Sequence, residues 1–232
     1  EFADYYQAKR SEVSPIEAYR STVKAMMVSP FFLFHLEPAE AVDLYALASR
    51  LSYFLWRSAP DAALHERAAD GTLDDPQTLV AEVERMLADP KRERFIEQFT
   101  GQWLDLRDLE FTTPDQKLYP EYDDLLLRAM REETVGFFRH LLENDLSVTN
   151  FIDSDFTVLN QRLATHYGIS GVRGHENFSV VPLPEDNPRG GVLTQASVLK
   201  VTANGTTTSP VLRGVWVLEN LLGQPSPPPP PG

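Results

Sequence analysis

Asp75-Pro76-Gln77-Thr78-Leu79-Val80-Ala81-Glu82-Val83-Glu84-Arg85-Met86-Leu87-Ala88-Asp89-Pro90-Lys91-Arg92-Glu93-Arg94-Phe95-Ile96-Glu97-Gln98-Phe99-Thr100-Gly101-Gln102-Trp103-Leu104 decides the fold. Aspartate caps a helix through its carboxylate, and proline fits the first turn, where no N–H partner is needed. Two successive Asp-Pro openings therefore predict a helical hairpin, 76 to about 87 and 90 to about 104. Leu79, Val83, Met86 and Leu87 recur at helical spacing and face Phe95, Ile96, Phe99 and Trp103.

The same signals continue upstream. A short helix from Ala62 to Ala69 stops at Asp70-Gly71, where glycine supplies a left-handed ending. Residues 39–56 set Val42, Tyr45, Leu47, Ala48, Leu51, Phe54, Leu55 and Trp56 on a stripe too wide for a surface helix, so this element is expected to be central. Ser14-Pro15-Ile16-Glu17 opens a first secure helix that runs to about Val28 and is broken by Ser29-Pro30.

Downstream, residues 107–122 read as a loop with turns at Thr113-Pro114-Asp115 and Tyr119-Pro120-Glu121. Asp123 opens the longest helix, to about Glu143. A further helix is expected from Asp155 to Tyr167, ended by Gly168. The glycine- and proline-rich segment up to Arg189 holds one good strand candidate, Phe178-Ser179-Val180-Val181, and one strand makes no sheet. After Gly190-Gly191, which permit a sharp reversal, helices are expected at 191–199 and 209–222. The run Pro227 to Pro231 continues only as a polyproline II spacer.

These elements predict an all-α fold, a multi-helix bundle that is either single or split into two sub-bundles near residues 105–122, with a small irregular insert at 168–189. The expected organisation is an N-terminal helical segment at 1–38, the end of a preceding module; a main bundle at 39–168; a loop plus two-helix module at 169–224; and a polyproline linker at 225–232. The start at Glu1 and the proline tail suggest a piece of a longer protein.

Composition narrows the function. The 232 residues are 42% hydrophobic, enough to bury a sizeable core. Net charge is −13, from 34 acidic and 21 basic residues. Such a chain repels phosphate backbones and anionic lipid, so nucleic acid is excluded as a partner. No apolar run approaches the ~20 residues a membrane helix requires. Cysteine is absent, which removes disulfides, thiolate metal sites, a cysteine nucleophile and a Cys-x-x-Cys-His haem attachment.

Arg50-Leu51-Ser52-Tyr53-Phe54-Leu55-Trp56, Phe99-Thr100-Gly101-Gln102-Trp103-Leu104, Leu159-Asn160-Gln161-Arg162-Leu163-Ala164-Thr165-His166-Tyr167-Gly168 and the stretch from Arg189 to Gly223 resemble the uncharacterised helical domains of planctomycete cytochrome c-like multidomain proteins. The resemblance spans nearly the whole chain but names no reaction. It implies a periplasmic or cell-surface setting, and a parent protein whose haem c is carried by another domain. No cofactor is expected within this chain. It implies a non-catalytic scaffold or binding module whose partners are neighbouring domains of the same polypeptide or an extracellular glycan. A polysaccharide-acting enzyme domain using paired carboxylates is the alternative, with Asp153 and Asp155, or Glu132 and a residue from the polar loop at 202–210, as candidates.

Residues able to carry chemistry each have a structural reading beside the functional one. The polar loop containing Asn204, Thr206, Thr207, Thr208 and Ser209, followed by Arg213, can cradle a sugar or an anion on backbone N–H groups, but Ser209-Pro210 also opens the last helix. The resemblance to those cytochrome c-like domains also implies arginine where Thr206-Thr207-Thr208-Ser209-Pro210 carries threonine, which argues against anion binding by the loop itself. Asp153, Asp155 and Asn160 offer hard oxygens for Ca²⁺, though Asp155 as a helix cap explains the same residues. His166 sits where a cation meets helix-end carbonyls. None of the five histidines is three or four residues from another, so local sequence gives no histidine metal site. Arg50, in the most apolar helix, is expected to pair with Glu133 of the long helix.

Overall fold

The computed structural model describes residues 1–34, 43–184 and 186–225. It is mostly helical, and the chain divides into two compact units, residues 1–54 with 58–85, and residues 55–57 with 86–232. This division falls elsewhere than the expected boundaries at 38, 168 and 224. The polyproline tail and the start of the helix expected at 39 lie outside the described residues. No helix among the described residues is long and apolar enough to cross a membrane.

The first unit contains α1 (Phe2–Arg10), α2 (Pro15–Met27), α3 (Pro30–Leu33), most of α4 (Leu44–Trp56), α5 (Ala62–Ala69) and most of α6 (Pro76–Ala88). α2 starts on a reciprocal capping box between Ser14 and Glu17, as its sequence predicts. Asp61 ties two elements together. Its carboxylate accepts the Leu64 N–H at 2.9 Å, capping α5, and receives both ends of the Arg85 guanidinium at 2.9 and 3.1 Å. Arg85 also meets the buried Glu82 at 2.7 Å. Replacing Asp61 with alanine is expected to cost about 1–2 kcal/mol and to lower the thermal midpoint by a few degrees. Thermal unfolding by circular dichroism tests this, and an unchanged midpoint would show that neither cap nor pair contributes.

The second unit is built on α7 (Glu93–Trp103) and α8 (Asp124–Glu143). The hairpin's second opening is a 3-10 turn at Pro90–Arg92, capped by Asp89, before α7 proper. Arg139 to Glu93 at 2.9 Å, and Arg92 to Glu143, join the start of α7 to the end of α8, so the two helices run antiparallel. Between them lies an aromatic layer. Phe95 meets Phe138 edge-on at 5.9 Å, Trp103 meets Phe151 at 4.9 Å, and Phe137 meets Phe156 at 5.2 Å. Trp56 and Trp216 are buried, as core tryptophans should be.

One expected helix is replaced by a strand and a shorter helix. Residues 155–167 form β1 (Phe156–Leu159) and then α9 (Gln161–Tyr167). β1 pairs antiparallel with β2 (Ser179–Pro182), Phe156 opposite Pro182 and Leu159 opposite Ser179. The strand anticipated at 178–181 thus has its partner inside the segment read as helical. Phe-Thr-Val-Leu is an aromatic and β-branched run that suits a strand. Asn160, not Asp155, is the cap, its side chain accepting the Leu163 N–H at 2.9 Å. Gly136 lets β1 lie close on α8, since a Cβ there would stand 3.0 Å from Val158 Cγ1.

Of the two C-terminal helices, the first is shorter than expected and shifted towards the C-terminus, while the last fills its expected span with a change of winding. Residues 192–194 form a 3-10 turn before α10 (Ala196–Val201), and α11 (Pro210–Trp216) continues into a wider π-helical turn at Val217–Leu221. Leu126, Ala129 and Met130 of α8, Leu159 of β1, Leu163 and Ala164 of α9 and Ala196 of α10 form one buried cluster, joined by Tyr122, Tyr167 and Phe178. Ala196, Phe178 and Val181 from the segment after residue 169 thus pack on the same core as α8.

Candidate functional site

Within the second unit, α8, α9, α10 and the start of α11 enclose a cleft of about 390 Å³. Its walls are mainly apolar, with Leu126 and Met130 from α8 and Ala196 and Leu199 from α10. Three cations reach it from the C-terminal segment. The Arg189 guanidinium lies 3.5 Å from the Tyr167 ring centroid and donates to the Thr194 carbonyl at 2.7 Å. Arg213 donates to Thr208 Oγ1 at 2.7 Å and to Thr202 Oγ1 at 3.3 Å. Lys200 is buried and donates to the carbonyls of Thr112, at 2.8 Å, and Leu109. Desolvation lowers the Lys200 pKa, with Glu110 opposing. Among the described residues Glu121 is the one carboxylate on the cleft wall.

Behind the cleft stands a buried polar triad. Glu133 on α8 is 1% exposed, and its carboxylate accepts from Thr157 Oγ1 at 2.8 Å and from the Tyr167 hydroxyl at 2.5 Å. The same hydroxyl accepts the Ala196 N–H at 2.7 Å, so one oxygen links α8, α9 and α10. Burial pushes the Glu133 pKa up to about 7, against its two hydroxyl donors and the nearby Arg189. Burial and the neighbouring carboxylate push the Tyr167 pKa well up, keeping its proton available for donation. With both oxygens occupied behind the wall, Glu133 serves the architecture of the cleft.

The expected polar loop divides between structure and site. Asn204 Oδ1 accepts the backbone N–H groups of Thr206 and Thr207 at 3.0 and 2.8 Å and both of their hydroxyls, closing the turn on itself. Gly205, at φ +90°, lets the turn seat on residues 113–115, where its carbonyl accepts the Asp115 N–H at 2.9 Å. Ser209 caps α11 by accepting the Leu212 N–H at 3.3 Å. Only Thr207, Thr208 and Arg213 of the six candidates border the cleft.

Other candidates fall differently. Arg50 on α4 is exposed, so the desolvation argument for a buried guanidinium does not apply to it. It belongs to the first unit, whereas Glu133 belongs to the second and is bonded there by Thr157 and Tyr167. Asp153 and Asp155 are exposed, and among the described residues no three His, Asp or Glu gather as a metal would require. His166 borders the cleft, where lost hydration, with Arg189 and Arg162, lowers its pKa against Glu121. That opposes the cationic role read for it, and Gly168 closes α9 instead, its N–H bonded to the last turn.

Sequence reasoning missed Tyr167 and Lys200. A tyrosine before a helix-ending glycine and a lysine in an apolar helix carry local signals of exposure, and only the fold turns them inward.

Compared with known families, residues 42–169 match PSD4, a protein family of unknown function (DUF1592), and residues 189–232 match PSCyt3, another of unknown function (DUF1588). The first match covers more than half of the chain, which therefore belongs to the PSD4 family. No curated protein and no solved structure matches it. The cleft draws Leu126, Met130 and Tyr167 from the first matched segment and Arg189, Lys200 and Arg213 from the second.

Proposed function

We propose that this PSD4-family chain is a non-catalytic binding module of an exported, cytochrome c-associated multidomain protein, and that its cleft takes a small amphipathic anion. One observation carries the ligand class: Arg189, Lys200 and Arg213 converge on a mainly apolar cleft of about 390 Å³ in a chain of net charge −13. That volume falls within the range of small-molecule sites, where apolar walls give affinity and a few polar groups fix orientation. Arg213 and Arg189 each have N–H donors beyond those already bonded, enough for a carboxylate, sulfonate or phosphate head. The name PSCyt3 supports the cytochrome-associated setting, and the proposal extends to a periplasmic or cell-surface location and to docking against neighbouring domains.

The probe is 1-anilinonaphthalene-8-sulfonate, an aromatic body with one anionic head. We expect saturable one-to-one binding with a rise in fluorescence, weakened about tenfold in Arg213→Ala and abolished in Leu199→Trp, which fills the cleft. Unchanged affinity in both folded variants would refute the cleft as the site.

A further inference from the structure

We propose a second binding site, adjoining the cleft and sharing Thr112 and Tyr122 with it: an arginine-lined groove along α7 and α8 that takes an acidic oligosaccharide. The groove measures about 1130 Å³, far larger than the cleft. Its walls are matching helical faces. Arg94, Glu97, Gln98 and Gly101 stand at i, i+3, i+4 and i+7 on α7, and Asp124, Leu127, Arg128 and Arg131 repeat that spacing on α8. Arg57 and Arg107 complete the lining, and Tyr122 gives it an aromatic surface.

Four features argue for a ligand. Arg57, Arg107, Arg128 and Arg131 are exposed and, among the described residues, form no ion pair, although the chain carries a large excess of carboxylates. The lining holds five arginines against Glu97, Glu110 and Asp124, a local surplus of positive charge on an acidic protein. Arg57 is held at φ +51°, in the left-handed region that a bulky residue rarely adopts, while Arg94 bonds the carbonyl of Trp56 beside it at 3.1 Å. Gly101 keeps the wall open, since a Cβ added there meets nothing within 4 Å.

The mixture of groups selects the ligand class. Guanidinium groups pair with carboxylate or sulfate oxygens through parallel N–H donors. The interleaved carboxylates accept from O–H groups and repel a densely charged polyphosphate. A chain bearing both acidic groups and many hydroxyls satisfies both sets, and a tyrosine face suits the apolar side of a sugar ring.

The test is titration of the 232-residue protein, by calorimetry, with oligogalacturonate, a sulfated dextran oligomer and neutral maltohexaose. Binding of one or both acidic oligomers, weakened by salt, is expected, with little binding of the neutral one; the two acidic arms distinguish carboxylate from sulfate. Arg128→Ala with Arg131→Ala should weaken it about tenfold or more. Gly101→Leu should block it without altering any charge, leaving sulfonate binding in the cleft intact as proof of folding. The proposal is overturned if neither acidic oligomer binds, if these variants bind as tightly as the parent, or if single-stranded DNA competes as well as the sugars.

Discussion

Glu133→Gln is expected to match the parent protein in stability near pH 5 and to exceed it by about 3 kcal/mol at pH 8. In the folded protein the Glu133 pKa is raised to about 7, from an ordinary value of 4.5. Between those values the folded state holds a proton that the unfolded state has released. Stability is therefore greatest below the unfolded pKa, falls as pH rises through the window and levels off above the folded pKa. Glutamine removes the proton equilibrium and keeps an oxygen for the Tyr167 hydroxyl. Urea unfolding at pH 5, 6, 7 and 8 measures the difference between the two proteins, which cancels the histidines common to both. A difference that does not grow with pH would contradict the burial of an ionisable group at this position. Glu133→Ala, which strands the hydroxyls of Thr157 and Tyr167 in a dry core, should instead lose stability at every pH.

Gly191→Ala should destabilise by about 4 kcal/mol, a fall of roughly 10 °C in thermal midpoint. Gly191 has φ +67° with extended ψ, a conformation reached essentially only by glycine. A Cβ there would stand 2.5 Å from the Phe151 carbonyl oxygen and 2.7 Å from that of Ile152. Both obstacles are backbone, so relief requires moving the 3-10 turn at Val148–Phe151 or displacing Arg189 and α10. Arg189 stacks on Tyr167 a few residues away, so the variant should also weaken sulfonate binding. A variant as stable as its parent would mean that the reversal at 190–191 is not packed as described. Gly223 is a useful contrast, being left-handed but with nothing within 4 Å of an added Cβ, so its replacement should show conformational strain alone.

Capping chemistry made much of the fold legible in the sequence. Ser14, Asp61, Asp89, Asp123 and Ser209 stand where their side chains accept the N–H groups of a first turn, and each precedes a helix or 3-10 turn where expected. The failure at residues 155–167 has the same chemistry behind it. Several residues there can cap, and local sequence does not say whether Asp155 or Asn160 does so. The choice is made by Ser179–Pro182, which pairs with β1, and by Gly136, which makes room for it. The candidate loop was recognised by its hydroxyls, most of which bond to Asn204 or cap α11. The residues that shape the cleft are separated by long stretches of chain, so Tyr167, Arg189 and Lys200 meet only through tertiary packing.

The Tyr167 hydroxyl, donating to Glu133 and accepting from Ala196, crosses the gap between two stretches recognised as different families. Without the second stretch the apolar flank of Leu126, Met130 and Tyr167 loses the cover of Ala196, and without the first the Ala196 N–H loses its acceptor. The two stretches are thus halves of one buried surface, and residues 42–169 expressed alone are expected to expose an apolar flank that the second half keeps dry.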